Sequence, residues 1–136
     1  MLFRSERARR FEELVAALER RAELSQDEQA ARSDRTRAAH LLSRALDDRP
    51  RAIAAFRRVR ELHGRSPELF ESLKELLTEE QDFRALAALY DDEVENEAEP
   101  ARRRSLYLEL GAVHRHHTGE LLRALEAFVV ACDWER

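Results

Sequence analysis

The fold is decided by the stretch Tyr107–Ala131, which reads YLELGAVHRHHTGELLRALEAFVVA. Thr118 and Gly119 separate two segments with helical apolar spacing, and such a pair favours a turn. A glycine in the middle of a helix costs about 1 kcal/mol relative to alanine, so Gly111 indicates a packing requirement for a small residue. The stretch therefore predicts two antiparallel helices joined at the turn.

The composition of the whole chain indicates an all-helical protein. The 136 residues include only three glycines and three prolines, and 38% of them are charged. Alanine, leucine, glutamate and arginine dominate, and all four are good helix formers. A chain of this length can bury a real core, so one compact unit or one short array is expected.

Charge and cysteine content exclude several classes of protein. The net charge of −4 is opposite to the basic surplus of most phosphate-binding domains. Cys132 is the only cysteine, so an intramolecular disulfide is impossible and a reducing compartment is favoured. No signal-peptide segment and no apolar run of roughly 20 residues is present, so we expect a cytoplasmic protein without a membrane anchor, or a fragment whose targeting signal lies elsewhere.

Apolar spacing and capping residues predict about seven helices. A leading helix at 5–24 is followed by three helical hairpins at about 28–64, 66–98 and 100–135, all within a single domain, 1–136. The connections are short, as in stacked helical hairpins.

Cap residues place the ends of these helices. Ser25 with a glutamate three residues later predicts a capping box. Pro50 fits a first helical turn, Gly64 a helix stop, Ser66 an N-cap, and Asp82 the N-cap of the fifth helix.

Internal repetition favours an open stack over a closed bundle. A shift of 72 residues places Phe11 on Phe83 and Phe56 on Phe128, with neighbouring apolar positions also matched. Repeats of fixed period are the signature of stacked helical units. The shift is about twice a 34-residue unit, so it fits two hairpins.

The best-preserved copy resembles a tetratricopeptide repeat. Its matching positions are Tyr107, Leu110, Gly111, His114, Ala124, Phe128 and Ala131. The resemblance implies a right-handed α-solenoid of antiparallel hairpins. Arg35 departs from the aromatic position of the pattern, and Ala39 and Lys74 depart from its glycine position, so the chain is tetratricopeptide-like.

The same resemblance implies a binding groove along the first helices of the hairpins. It predicts a non-catalytic scaffold for a partner protein or an acidic peptide, because basic side chains mark both ends of the groove. The side chains expected to face the partner are Arg37, His40, Arg44, Lys74, Arg104 and His116.

The C-terminal end is a second candidate for partner binding. The segment 128–134, FVVACDW, is apolar around much of its circumference, whereas a terminal solenoid helix needs a polar outer face. One interpretation is a fragment cut from a longer array. The other is docking of a partner, or of a second copy, on this end, with Trp134 in the contact.

Catalysis and metal binding are not expected. His114 and His117 lie three residues apart, but His114 occupies a core position of the repeat and no cysteine or second histidine pair lies nearby. Glycine-rich phosphate loops, nucleophile elbows and HExxH motifs are absent from the sequence. We therefore expect no cofactor, no metal site and no enzyme activity.

Charge runs leave two alternatives open. A nucleic-acid role is the alternative function, based on arginines in the first helix, but interleaved glutamates favour surface ion pairs. The acidic run from Asp91 to Glu99 is interpreted as a solvated face, or else as a contact for a basic partner. The first-helix arginines are Arg4, Arg7, Arg9, Arg10, Arg20 and Arg21.

Overall fold

The computed structural model describes residues 2–133, and no strand occurs in that range. A π-helical turn, His114–Thr118, separates the last two α-helices. The predicted all-α class and its seven helices are confirmed for these residues. The helices are α1 Leu2–Leu24, α2 Glu28–Arg44, α3 Arg49–His63, α4 Pro67–Glu79, α5 Phe83–Asn96, α6 Pro100–Val113 and α7 Leu121–Asp133.

The start of α2 differs from the predicted capping box. Asp27, and not Ser25, is the N-cap, because its Oδ1 accepts hydrogen bonds from the N–H groups of Gln29 and Ala30 at 3.0 and 3.4 Å. Ser25 Oγ accepts from the Asp27 N–H at 3.2 Å. A carboxylate suits this position because it also places negative charge at the positive end of the helix.

The other predicted helix signals are confirmed. Pro50 lies in the first turn of α3, and Gly64 ends that helix with φ 94°. Ser66 Oγ and Asp82 Oδ1 each accept a first-turn backbone N–H at 3.2 Å, at the starts of α4 and α5.

The chain forms two compact units, one extending to Leu76 and one beginning at Leu77. In the first unit α2 packs against both α1 and α3. Phe56 is buried, and the His40 ring meets it edge-on at a centroid distance of 5.1 Å. The apolar core of these three helices is Val15, Leu18, Ala22, Ala31, Ala38, Ala39, Leu42, Ala52, Ile53, Phe56 and Val59.

In the second unit α6 packs against α5 and α7. Gly111 explains how closely α6 and α7 approach: a Cβ atom added there would lie 2.6 Å from Cε1 of the Phe128 ring. The packing requirement predicted for this glycine is thereby confirmed. The apolar core of α5, α6 and α7 is Leu86, Ala87, Leu89, Tyr90, Val94, Leu106, Leu110, Val113, Ala124, Ala127 and Ala131.

The π-helical turn is a feature that the sequence analysis did not predict. Thr118 Oγ1 donates to the carbonyl oxygen of His114 at 3.3 Å, and Gly119 takes the left-handed conformation, φ 73°, before α7. The His117 ring stacks on Phe83 of α5 at 3.8 Å between centroids. His114 is buried, as its core position in the repeat predicts.

Candidate functional site

The outward side of α7 is the most unusual surface of the described chain. Leu121, Leu122, Leu125 and Val129 are 66%, 72%, 59% and 47% exposed. Their spacing, i, i+1, i+4 and i+8, places all four on one side of the helix. We call these four residues the α7 outer face.

The inward side of α7 carries small residues. Ala124, Ala127 and Ala131 are buried, at the i, i+3, i+7 spacing of one stripe. A helix of an isolated domain normally buries its large apolar side chains, because burial of a leucine contributes about 1.5–3 kcal/mol. In α7 this distribution is reversed, so the large side chains are available to a partner.

The charges beside the α7 outer face are predominantly negative. Glu126 is exposed one turn after Leu122, at the edge of the face. Arg123 Nε lies 3.2 Å from Oε2 of Glu120, the residue that precedes α7, so this arginine already has an acidic partner. The edge is therefore acidic where Glu126 lies.

His40 is the predicted groove residue that lies in the cleft between α2 and α4. This α2–α4 cleft has a volume of about 270 Å³. Arg32 and Thr36 line it from the same stripe of α2 as His40, at steps of four residues, and Ser66 and Ser72 line it from the other side. These four lining residues are not among the predicted groove residues, although the i, i+4 series through His40 is the signal that identifies the α2 pair.

Arg37 and Arg44 do not join His40 in that cleft. Arg37 is exposed and lies close enough to Asp34 to lower the pKa of that carboxyl, after the larger effect of the hydrogen-bonded Arg21. Arg44 lines a different surface cleft, of about 800 Å³, together with Phe11.

The remaining predicted groove residues differ in their local environment. Lys74 Nζ lies 3.7 Å from Glu71 Oε2 in the same helix, and Arg104 is half-buried. His116 is exposed, with its ring centroid 6.5 Å from that of His117. Trp134 lies outside the described residues.

Hydrogen bonds from two arginines of α2 hold the end of α3 against α2. Arg35 Nη1 donates to Nε2 of His63 at 2.8 Å, and Arg32 Nη1 donates to the His63 carbonyl oxygen at 3.4 Å. Since a guanidinium has no acceptor, Nε2 accepts and the ring is neutral with its proton on Nδ1. Burial lowers the pKa of His63, Arg35 and Arg32 lower it further, and Glu28 opposes them.

A second cluster of titratable groups lies in the second unit. His114 Nδ1 lies 2.9 Å from Thr118 Oγ1 and 3.7 Å from Glu120 Oε2. Burial raises the pKa of Asp91, which lines the same cleft as His114, while His114 and Arg123 lower it. The cluster brings together side chains of α5, the π-helical turn and α7, in the unit in which the α7 outer face lies.

The histidines of the π-helical turn make separate contacts, His114 with Thr118 and His117 with Phe83. Within residues 2–133 no group of three or more His, Cys, Asp or Glu side chains is arranged to hold a metal ion. In the same range no helix is long and apolar enough to cross a bilayer.

No protein family, curated protein or solved structure matches the chain. The resemblance to tetratricopeptide repeats therefore stays a prediction. The residues of this chain alone support the function proposed for it.

Proposed function

We propose that the chain is a non-catalytic protein–protein interaction module of the tetratricopeptide-like type, whose partner docks on the α7 outer face. The observation that carries this proposal is the reversed order of side-chain size in α7, which buries alanines and exposes Leu121, Leu122, Leu125 and Val129. Large exposed apolar patches are typical of interaction sites.

The proposed architecture is an α-solenoid of antiparallel hairpins. Support comes from the repeated sequence pattern, the short connections between helices, and the close approach at Gly111 and Phe128. In such an array each repeat covers its neighbour, so an outer face made of leucines suits a further helix laid against it.

The magnitudes favour docking on this face over docking in the α2–α4 cleft. Burial of three exposed leucines contributes several kcal/mol of gross binding free energy, against about 4–15 kcal/mol lost on association. Contacts at the rim must therefore add to the apolar contribution. The cleft, at about 270 Å³, is smaller than the usual ligand pocket of about 300–1,000 Å³.

Affinity capture from the source organism tests this location. The wild type is compared with Leu122→Glu/Leu125→Glu, and with Ala16→Glu/Ala17→Glu on the exposed side of α1 as the matched control. We expect the same proteins on the wild type and the α1 control, and their loss from the α7 variant.

The predicted groove is tested in the same experiment by Arg37→Glu/Arg44→Glu/Arg104→Glu. We expect this triple variant to retain its partners. Loss of capture from the triple variant, with capture retained by the α7 variant, would move the binding site to the groove.

A further inference from the structure

We infer that the α7 outer face takes a basic amphipathic helix, one whose apolar stripe is flanked by lysine or arginine; this inference rests on the proposed function and names the chemistry of the partner. The stripe from Leu121 to Val129 is straight and rises about 12 Å, at 1.5 Å per residue. A partner helix of two to three turns covers it, with anchors at i, i+3, i+4 and i+7.

Charge selects a basic helix over an acidic one. Residues 77–136 contain fourteen Asp or Glu and seven Lys or Arg, a net charge of −7 with neutral histidines. Residues 1–76 contain fourteen acidic and seventeen basic residues, a net charge of +3. The unit that carries α7 is therefore the acidic one, and opposite charge accelerates and orients association.

The charges nearest the stripe agree with this sign. Glu126 is exposed at its edge, and Arg123, the only arginine in α7, already pairs with Glu120. A lysine or arginine on the partner can reach Glu126, whereas an acidic residue at the same place would meet a like charge.

A second copy of the chain fits the stripe poorly. Outside α7, the large apolar side chains that the described residues expose are Leu24, Leu62 and Leu108, which lie on three different helices. They form no complementary stripe. A second α7 would also bring a second unit of net charge −7 to the interface, at a cost in repulsion.

Fluorescence anisotropy with synthetic peptides tests the inference. Three 18-residue peptides contain the same leucines and alanines and differ in their charged residues or their order. The first is an amphipathic helix with lysine flanks, and the second has glutamate in place of each lysine. The third has the composition of the first in a scrambled order that is not amphipathic. We expect the amphipathic lysine peptide to bind at least tenfold more tightly than either of the others, and more weakly as salt rises from 50 to 500 mM.

Two variants locate the binding. Leu122→Glu/Leu125→Glu should abolish binding of the lysine peptide, and Glu126→Lys should weaken it while strengthening binding of the glutamate peptide. Circular dichroism controls for folding, and substitution of exposed residues leaves helix content unchanged. Equal binding of the scrambled peptide, or binding that survives Leu122→Glu/Leu125→Glu, would overturn the inference.

The outcomes separate this inference from the proposed function. Preference for the glutamate peptide, lost in Leu122→Glu/Leu125→Glu, overturns the basic-partner chemistry and leaves the docking face in place. Binding of no peptide also overturns it, while affinity capture still decides the function. A dimer in sedimentation equilibrium that the same double variant dissociates would make a second copy the occupant, and so refute the inference.

Discussion

The helices α1 and α7 each bury one side, but they expose opposite kinds of side chain on the other. In α1 the buried stripe includes Val15 and Leu18, and the exposed side carries charges such as Glu13, Glu19 and Arg20. In α7 the buried stripe is made of alanines, and leucines are exposed. The exposed side of α1 thus carries charged side chains, which water solvates, whereas the exposed side of α7 carries large apolar ones.

The contacts that hold the two helices also differ, since those of α1 include ion pairs and those of α7 are mainly apolar. The charged side chains of α1 make ion pairs with its neighbours: Arg21 contacts Asp34 through two bonds of 2.6 and 2.8 Å, and Glu12 contacts Arg51 at 2.6 Å. α7 is held mainly by close apolar approach to α6 at Gly111. Polar contacts thus hold α1 in its unit, and small-residue packing holds α7 in its unit.

The largest expected effect tests the packing of α7. Gly111→Val places a branched side chain where even a Cβ meets the Phe128 ring, and overpacking of this kind costs typically 1–3 kcal/mol. We expect a loss of about 2–3 kcal/mol in the free energy of unfolding, measured by urea denaturation.

Two further variants control for this effect. Ala112→Val places the same side chain at the next position of α6, where the lower helix propensity of valine should cost less than about 1 kcal/mol. Phe128→Leu combined with Gly111→Val should recover part of the lost stability. Wild-type stability of the Gly111→Val single variant would show that α7 does not depend on this approach.

A smaller effect on stability, its dependence on pH, tests the polar contacts of the first unit, to which α1 belongs. The pKa of His63 is lowered in the folded chain from its ordinary value of 6.5. On acidification the unfolded chain takes up the proton first, so stability is fully present above pH 6.5 and falls as the pH drops through 6.5 toward the folded-state pKa. Urea denaturation at pH 7.5 and 5.5 measures the loss.

His63→Gln is the matched control, because the amide oxygen can still accept from Arg35 without titrating. We expect a smaller loss of stability between the two pH values in this variant. A residual loss should remain, since burial and Arg44 also lower the pKa of His40. An identical pH dependence in wild type and variant would remove His63 from the account of stability.

The smallest expected effect on stability tests the α7 outer face itself. Leu121→Gln/Leu122→Gln/Leu125→Gln replaces only exposed side chains, so the free energy of unfolding should change by no more than about 0.5 kcal/mol per substitution. Binding of a hydrophobic dye should fall in this variant, and should not change in Ala16→Gln/Ala17→Gln on α1. A large loss of stability would mean that the leucines are structural.

The helices could be predicted from the sequence because local signals determine them. Pro50, Gly64, Ser66 and Asp82 act within one turn, and the structure uses all four as predicted. The cap of α2 could not be assigned by pattern alone, since Ser25 and Asp27 both offer an oxygen and only the geometry of the turn decides between them. The π-helical turn was not predicted: Thr118 and Gly119 indicate that the helix ends there, but they do not distinguish a π-helical last turn from an α-helical one.

The candidate site could be predicted only in part. The sequence predicts an apolar C-terminal helix and places its exposed apolar surface at 128–134, whereas the exposed leucines begin at Leu121. Which side of α7 faces outward depends on the side that α6 covers, and periodicity cannot show that in a helix that is apolar nearly all round. Periodicity is likewise insufficient in α2: Arg44 continues the i, i+4 series of His40, yet it lies one turn farther along the helix and lines a different cleft.

Because α7 buries small side chains and exposes large ones, stability and recognition constrain different positions of the same helix. At the buried positions Ala124, Ala127 and Ala131, stability tolerates no larger residue, because α6 already lies in contact. At the exposed leucines, stability tolerates nearly any side chain, so under the proposed function the constraint there is recognition of the partner. In a mutational scan scored once for folding and once for binding, the two scores along α7 should therefore be sensitive at complementary positions.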